Sequence, residues 1–546
     1  MKLKTLMCLL LCLFLLVGCG PQMTDTNAPE NSGASVQTDK ALAQIKLLGT
    51  SPDDNYRTWY EIFVYSFCDS DGDGIGDLNG IRSKLDYLQE LGINGIWLMP
   101  IHPSTTYHKY NVSDYYTIDP DYGTMEDFDA LLQECQERDI HVILDLVVNH
   151  TGYAHPWFQE AANYLKTLSA DAEPDPAQCK YVNYYTFSRQ TGAGMRVLNG
   201  TDWYYEAMFS HDMPDLNLGN PEVRQDIEAI MKFWLDKGVS GFRLDAAKEF
   251  YSGSISKNVE VLSWLQTTAT ALDPDCYLVA EVWENFSTIT DYYESGITSI
   301  FNFAFGDTDG KIIKVLRDAG NSSSVTSYAT ALEKADKAYA GNNPNYIDAP
   351  FLSNHDVGRI AGFCGRDKQK TKLAGAMNLM MSGSAFIYYG EEIGMVGSGN
   401  DPSKRAPMYW NDSRDNGTTN PPPECTLPES YPFGSLETQR NTDGSIYNYY
   451  RQIIAIRNAL PVISHGRTTA ENALNQGCIS AQRKTWNNET CIILMNIDSK
   501  QANVDLSGYT DYKLAAAVSA NEEQITTDGT TLHLPAYGLA VLIPVA

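Results

Sequence analysis

The chain has 546 residues, of which 43% are hydrophobic and 20% charged, and its 68 acidic side chains outnumber 40 basic ones. This length suits two or three domains with a large buried core. The formal net charge of −28 argues against electrostatic capture of nucleic acid or of anionic lipid headgroups. The composition therefore indicates a globular protein with neutral or cationic partners.

The N-terminus predicts an export signal. Two lysines precede an apolar run from Leu6 to Val17, which is too short to span a bilayer and is typical of a signal peptide. The run ends on residues 16–19, Leu-Val-Gly-Cys, which resemble the bacterial lipobox, whose cysteine is lipidated and becomes the mature N-terminus. We therefore predict a signal peptide over residues 1–18 and lipidation of Cys19. The alternative is an ordinary secretory signal with an incidental cysteine.

The segment after the signal is polar. From residue 20 to about residue 40 it is rich in Thr, Asn, Ser, Pro and Asp, and we assign residues 19–50 to a disordered tether. An acyl anchor would hold so acidic a body at a membrane without any basic patch. We expect a monomeric, extracytoplasmic lipoprotein, at the cell surface or in the periplasm, and the choice between the two membranes stays open.

Cysteine spacing excludes a familiar zinc pattern. Of the 11 cysteines, two lie in the signal and Cys19 is the lipidation candidate, and the remaining eight are scattered without any C-x-x-C spacing. Cys135 and Cys276 lie in apolar segments and are predicted to be buried free thiols. Disulfide pairing cannot be deduced from these spacings.

From about residue 55 to residue 460, short apolar runs alternate with amphipathic helical stretches. Eight such βα units predict an α/β fold, a (β/α)8 TIM barrel. Ile81–Leu91 is a predicted helix, and Thr124 with Asp127 predicts a capping box at the start of the next one. The eight predicted strands are Trp59–Phe67, Gly95–Met99, His141–Val148, Gly241–Asp245, Tyr277–Val282, Ile297–Phe305, Pro350–Asp356 and Ala385–Tyr389.

Two regions depart from the βα alternation. Residues 151–213, after the third strand, are rich in aromatic side chains and predict an inserted subdomain, with most of those rings in its own core. Residues 461–546 contain short, turn-separated β segments and predict a C-terminal antiparallel β-sandwich. The barrel accordingly takes residues 51–150 and 214–460.

Four predicted strands carry an acidic side chain at or near their carboxyl ends: Asp145, Asp245, Glu281 and Asp356. Barrel enzymes carry their catalytic groups at these ends, which share one face of the barrel. A buried apolar strand accommodates a carboxylate at a high cost unless the carboxylate is paired or functional. A structural ion pair remains open for Asp145, but four converging acids predict a catalytic site.

The residue types favour glycoside hydrolysis. Two carboxyl groups at a suitable separation serve this reaction, since one attacks or activates water and the other protonates the leaving oxygen. Arg243 precedes Asp245 by two residues, so both side chains point the same way on a strand, and the guanidinium would keep Asp245 ionised as a nucleophile. Apolar neighbours would raise the pKa of Glu281, as a general acid requires.

The segments DLVVNH, GFRLDAAKEF, EVWE and FLSNHD resemble, in this order, the signature regions of the α-amylase family, glycoside hydrolase family 13. The resemblance extends from about Asn55 to the C-terminus. It implies that Asp245 is the nucleophile, Glu281 the acid/base, and Asp356 the residue that binds sugar hydroxyls and stabilises the transition state. It also implies a retaining mechanism with carboxyl groups about 5–5.5 Å apart. The implied sugar ligands are His108, Tyr110, His150, Arg243 and His355.

Two segments bear on specificity within this family. Residues 107–110, YHKY, resemble the family's YHGY loop, but Lys109 replaces glycine, which leaves the shape of the loop open. Residues 213–217, MPDLN, combine the QPDLN of oligo-1,6-glucosidases with the MPKLN of neopullulanases, as in an intermediate group of α-amylases. The resemblance implies cleavage of α-1,4-glucosidic bonds in starch-derived glucans and maltooligosaccharides. The alternatives are an exo-acting α-glucosidase, an oligo-1,6-glucosidase or a neopullulanase and, from another class, a non-catalytic sugar-binding lipoprotein.

Residues 69–77, DSDGDGIGD, match the first half of an EF-hand loop, although position 12 is Gly80 rather than Glu. An acidic surface turn is the alternative, but four aspartates in nine residues repel one another without a cation. The segment also resembles the single calcium loop of oligo-1,6-glucosidase-like members. A second calcium site stays open, because the Lys-His pair that many α-amylases use reads Lys248-Glu249 here. We predict calcium held by Asp69, Asp71, Asp73, the Ile75 carbonyl and Asp77.

Overall fold

The computed structural model describes residues 53–545, so the predicted signal peptide, Cys19 and the whole predicted tether lie outside the described residues. Three strands precede the insertion: β1 (Thr58–Ile62), β2 (Gly95–Leu98) and β3 (His141–Leu146). The side chains of β1 and β2 are buried throughout, because the barrel interior covers one face of each strand and the helices cover the other. These apolar runs are therefore strands of a parallel sheet.

The insertion after β3 is a small subdomain with its own sheet. It contains the helix Pro156–Thr167 and the strands β4 (Phe187–Ser188), β5 (Met195–Val197) and β6 (Tyr204–Glu206), with β6 paired antiparallel between the other two. Its core is aromatic, as predicted: Phe158 is buried, with its ring centroid 5.1 Å from that of Tyr185 and 4.8 Å from that of Tyr205. Phe209, near the end of the insertion, is instead 49% exposed.

The remaining barrel strands are β7 (Gly241–Leu244), β8 (Tyr277–Ala280), β9 (Ser299–Ile300) and β10 (Ala385–Tyr388). Seven parallel strands form one curved sheet in the order β10-β1-β2-β3-β7-β8-β9. The neighbours β3, β7 and β8 keep a continuous register, with Asp145 opposite Arg243 and Arg243 opposite Val279. Consecutive strands therefore end side by side at one face of the barrel.

An extended segment, rather than a regular strand, occupies the seventh position of the barrel, between β9 and β10. Phe301 forms a parallel bridge with Ala349, and the Phe386 N–H donates a hydrogen bond to the Pro350 carbonyl at 2.8 Å. Pro350 has no N–H, so a full ladder cannot form there. Residues 348–352 nevertheless join β9 to β10, which confirms the barrel; the predicted strand Pro350–Asp356 is wrong in its length and regularity.

The helices cover the outside of the barrel. The predicted helix Ile81–Leu91 is wrong as one element, because the chain breaks at Ser83, whose hydroxyl donates to the Gly80 carbonyl at 2.7 Å. The predicted capping box is confirmed: the Thr124 hydroxyl accepts from the Asp127 N–H, and the Asp127 carboxylate accepts from the Thr124 N–H. The α-helices with at least seven residues outside the insertion are Leu85–Leu91, Met125–Gln136, Pro221–Asp236, Ile255–Leu272, Phe286–Tyr292, Lys311–Arg317, Ser322–Asn342, Lys368–Leu379 and Ile446–Ala459.

The C-terminal region is the predicted antiparallel sandwich. A five-stranded sheet, ordered β11-β12-β13-β18-β15, faces a three-stranded sheet, ordered β14-β17-β16. Apolar side chains of both sheets share one core that includes Ile492, Leu494, Val504 and Leu532. The strands are β11 (Arg467–Ala470), β12 (Ile479–Trp486), β13 (Glu489–Asn496), β14 (Ala502–Asp505), β15 (Tyr512–Ser519), β16 (Thr526–Asp528), β17 (Thr531–Leu534) and β18 (Gly538–Pro544).

Two further sequence features can be checked in residues 53–545. Cys135 and Cys276 are buried free thiols, as predicted. Within this part of the chain, the helices are too short or too polar to cross a membrane.

Candidate active site

The carboxyl ends of three neighbouring strands bring charged side chains together. Asp145 lies on β3, Arg243 lies on β7 with Asp245 directly after it, and Glu281 directly follows β8. The alternation of side chains along β7 places Arg243 and Asp245 on the same face, towards the barrel interior. Three of the four strand-end acids that the sequence singled out therefore lie here together with Arg243.

The guanidinium of Arg243 is fully buried and contacts three carboxylates. Its Nη1 donates to Asp145 Oδ1 at 2.8 Å and to Asp245 Oδ1 at 2.6 Å, and its Nη2 donates to Glu281 Oε2 at 2.6 Å. Charge-assisted hydrogen bonds of this kind are strong inside a protein and fix the geometry of both partners. Asp145 thus forms the ion pair considered for it, and this pair lies within the site.

Burial controls the protonation of two of these acids. Burial raises the pKa of Glu281 above its usual range, although the charge of Arg243 acts in the opposite direction. Burial also raises the pKa of Asp145, to about 7. The Glu281 carboxylate additionally accepts from the Ala246 N–H at 3.1 Å. A raised pKa keeps the acid protonated to a higher pH than usual, as general acid catalysis requires.

The loop after the closing segment carries His355 and Asp356. His355 Nε2 lies 2.9 Å from Asp356 Oδ2, and Arg405 Nη2 donates to Asp356 Oδ1 at 2.7 Å. Burial favours the neutral acid, but the charges of His355 and Arg405 outweigh this effect and hold the pKa of Asp356 well below its usual range. Asp356 is therefore ionised at physiological pH.

The predicted sugar ligands surround these acids. The Tyr110 hydroxyl donates to Asp145 Oδ2 at 3.0 Å, and its ring stacks on His355 with the centroids 5.5 Å apart. His150 Nε2 lies 3.2 Å from the Tyr110 carbonyl. Burial lowers the pKa of His150, and it lowers that of His108 to about 4. Both of these imidazoles are therefore neutral at pH 7.

The loop that departs from the family pattern has a definite conformation. Lys109 has a φ of 63°, a left-handed conformation that suits the glycine usual at this position. The buried Lys109 ammonium lies 2.8 Å from Asp119 and 2.9 Å from Asp121. These ion pairs hold the left-handed backbone in place, so the substitution preserves a turn between His108 and Tyr110.

A cavity of about 500 Å³ opens above these groups. Its volume lies within the range of small-molecule sites. Two exposed aromatic side chains stand at its edge: Phe209 from the insertion, 49% exposed, and Trp283 after β8, 40% exposed. The predicted residues that line the cavity are His108, Tyr110, His150, Asp245, Glu281 and Asp356, whereas the buried Arg243 and His355 are not part of the lining.

Sequence reasoning missed three neighbours of this site. Arg405 Nε donates to the His355 carbonyl at 3.0 Å, and Lys404 Nζ donates to the Asp356 carbonyl at 2.6 Å. No local pattern marks these two basic residues. Glu61 Oε1 lies 2.6 Å from His355 Nδ1. A signal for Glu61 did exist, because it is an acid within the apolar strand TWYEI.

The acidic loop brings together three of its five predicted metal ligands. Carboxylate oxygens of Asp69, Asp71 and Asp77 lie within 4.8 Å of one another. Asp73 lies outside this group, and its Oδ1 accepts from the Ile75 N–H at 2.7 Å. Hard oxygen ligands of this kind fit calcium or magnesium. The three grouped carboxylates could hold such an ion, which would offset their mutual repulsion.

Comparisons with known proteins agree with this geometry. A family model described as the alpha amylase catalytic domain matches residues 61–466. Alpha-amylase 3 of Dictyoglomus thermophilum is 41% identical over 414 residues, 75% of this chain and 78% of that protein. An oligo-1,6-glucosidase of Bacillus cereus is 30% identical over 536 residues, 82% of this chain and 91% of that protein. The solved structure of Eubacterium rectale Amy13B matches with a TM-score of 0.89 and 43% identity, over 93% of this chain and 99% of that one. The chain therefore belongs to the α-amylase family of glycoside hydrolases, glycoside hydrolase family 13.

Proposed function

We propose that this chain is a retaining hydrolase that cleaves α-1,4-glucosidic bonds in starch-derived glucans and maltooligosaccharides. The observation that carries the proposal is that one buried guanidinium, Arg243, contacts both Asp245 and Glu281 where these acids line a cavity. Two carboxyl groups held in this way satisfy the first requirement of glycoside hydrolysis. Their environments differ, which suits two different roles.

In the proposed mechanism, Asp245 attacks the anomeric carbon while the leaving oxygen takes a proton from Glu281. The product of this step is a glycosyl ester on Asp245. Glu281 then removes a proton from a water molecule that attacks the same carbon, so Asp245 leaves and the anomeric configuration is retained. The raised pKa of Glu281 favours the first proton transfer. The ionised Asp356 binds sugar hydroxyls and stabilises the positive charge that develops on the ring.

Two observations support a glucan as the substrate. Phe209 and Trp283 expose large rings at the edge of the cavity, where sugar units beyond the cleaved bond can stack. The names of Alpha-amylase 3 and of other similar proteins favour α-amylase activity. The similarity to an oligo-1,6-glucosidase supports the second candidate, an exo-acting enzyme.

The product profile distinguishes these activities. The purified chain is incubated with maltoheptaose and with isomaltose, and the early products are separated and quantified. An α-amylase releases several maltooligosaccharides from maltoheptaose and leaves isomaltose largely intact. Glucose as the sole early product would favour the exo-acting enzyme. If the wild-type chain and Asp245→Asn both bind maltoheptaose without releasing reducing ends, the chain is instead a sugar-binding protein.

We further propose that the acidic loop binds calcium. Asp69, Asp71 and Asp77 would supply carboxylate oxygens, and the ion would stabilise the loop rather than take part in the reaction. The loop also contacts a distant segment, because the Asp69 N–H donates to the Gly417 carbonyl at 3.1 Å and the Asn420 N–H donates to the Gly74 carbonyl at 2.7 Å. Calcium would therefore stabilise the segment that follows Arg405.

The sequence of the N-terminus supports the proposal that the enzyme is a lipoprotein outside the cytoplasm. Lipidation of Cys19 would attach it to a membrane while leaving the barrel free to meet glucans. Expression of the full chain and of Cys19→Ser in a bacterial host tests this. The wild type should incorporate labelled palmitate and remain with the membrane fraction, whereas the variant should do neither.

A further inference from the structure

Glu61 is a buried acid that the proposed mechanism does not use. It lies in β1 between Tyr60 and Ile62, and it is 1% exposed. A carboxylate in such surroundings is costly unless it is paired. Its partner is His355: Glu61 Oε1 lies 2.6 Å from His355 Nδ1 and also accepts from the His355 N–H at 3.3 Å. Glu61 therefore acts on the site through one residue.

The hydrogen bonds around His355 specify where its protons lie. Nε2 lies 2.9 Å from Asp356 Oδ2 and 2.7 Å from the Tyr110 hydroxyl. That hydroxyl donates its only proton to Asp145 at 3.0 Å, so towards His355 it is an acceptor. Nε2 must therefore carry a proton. Nδ1 faces Glu61, so this second ring nitrogen is also directed at a carboxylate.

We propose that Glu61 is a positioning residue that holds His355 as a doubly protonated imidazolium, oriented towards Asp356. This inference rests on the proposed function, since it assigns a charge to one of its sugar ligands. A positive charge there stabilises the ionised form of Asp356. It also keeps His355 Nε2 a hydrogen-bond donor to Asp356 at every pH at which the enzyme works.

Two other histidines of the site show the effect of lacking such a partner. Among the hydrogen bonds of residues 53–545, His108 and His150 contact no carboxylate, and burial lowers the pKa of both. Burial would likewise lower the pKa of His355, but the carboxylates of Asp356 and Glu61 outweigh it and raise that pKa to about 10. The other titratable or charged groups near His355 are His108, Tyr110, Asp145, Arg243, Glu281 and Arg405.

The test is a nitrogen-15 NMR titration of the histidine side chains in the full chain, with His355 assigned from the resonance lost in His355→Gln. In the wild type, both ring nitrogens of His355 should remain protonated from pH 5 to pH 9. In Glu61→Gln, the ring should lose a proton at a pH lower by about one to three units. Glu391→Gln is the matched control, because it removes a buried carboxyl that contacts Tyr450 rather than a histidine, and it should titrate like the wild type.

Kinetics supply a readout that a merely structural role would not change. We compare kcat/KM on maltoheptaose for Glu61→Gln and for the wild type across pH. The variant's value, divided by that of the wild type, should fall by about tenfold between pH 5.5 and pH 9, because only the variant loses the charge of His355. A ratio that stays constant with pH would overturn the proposal. So would a wild-type His355 that is singly protonated at pH 7, a result that needs no variant to fold. If the wild type releases no reducing ends, the proposed function fails, while the titration still decides the charge of His355.

Discussion

Removal of Arg243 should destabilise the protein in a pH-dependent manner. In Arg243→Met, three carboxyl groups at the barrel mouth lose the cation that lies 2.6–2.8 Å from each of them. Breaking a buried ion pair by removing one partner costs about 3–5 kcal/mol. At about 2 °C per kcal/mol for a large domain, the melting temperature at pH 7.5 should fall by about 6–10 °C.

The dependence on pH follows from the carboxyl groups that remain. Without Arg243, burial raises the folded-state pKa of Asp145 and Glu281 further above their unfolded values, so the folded variant holds protons that the unfolded chain releases. Stability from such groups is fully present below about pH 4 and is lost as pH rises. The fall in melting temperature relative to the wild type should therefore be small at pH 4.5 and large at pH 7.5.

The assay is thermal unfolding of both proteins, followed by circular dichroism at the two pH values. Arg457→Met is the matched control: Arg457 is also buried, but it donates to the carbonyls of Leu379, Met381 and Gly383. The melting temperature of Arg457→Met should be lower than that of the wild type by the same amount at both pH values. An equally large deficit for Arg243→Met at pH 4.5 and pH 7.5 would refute the reasoning.

Three further predictions concern the reaction, the metal and the loop of Lys109. Glu281→Gln should lower kcat on maltoheptaose about 10²–10⁴-fold. It should lower kcat far less on α-maltosyl fluoride, because fluoride leaves without a proton. Similar losses on both substrates would exclude the acid role of Glu281. Chelation should lower the melting temperature of the wild type but not that of Asp71→Asn. Calcium at 100 times its Kd would restore about 2.7 kcal/mol of the wild type's free energy of unfolding. Identical responses of the two proteins to the chelator would contradict the metal site. Lys109→Gly should relieve the strain of a left-handed backbone at a residue with a side chain. It should nevertheless lower the melting temperature, since it leaves the buried Asp119 without a cation. An unchanged or higher melting temperature would show that the ion pair is dispensable.

Asp145 and Glu281 were predictable from sequence because each stands at the end of an apolar run long enough to be buried. The lengths of the strands were not. The predicted strand Trp59–Phe67 ends at Ile62, because Val64–Phe67 turns into a helix whose Ser66 hydroxyl donates to the Arg405 carbonyl at 2.6 Å. Such contacts between distant segments have no local sequence signal.

The same limit applies within the site. Arg405 contacts Asp356 across 49 positions of sequence and lies in a segment of irregular structure, so neither periodicity nor a motif indicates its contact. Glu61 is different, because an acid in a continuous apolar strand is visible in the sequence and calls for a buried partner. Its partner, His355, follows the one barrel segment that is not a regular strand, so only the structure identifies the pair.

The role of Asp245 as the nucleophile is tested most directly by trapping the covalent intermediate. The wild-type chain is incubated with 5-fluoro-α-D-glucosyl fluoride, digested with protease and mapped by mass spectrometry. The label should appear on the peptide that contains GFRLD, as an ester of Asp245, and its hydrolysis should release the sugar with retained α configuration. A label on Glu281 or Asp356, or rapid turnover that yields a β-configured product without any ester, would contradict the proposed mechanism.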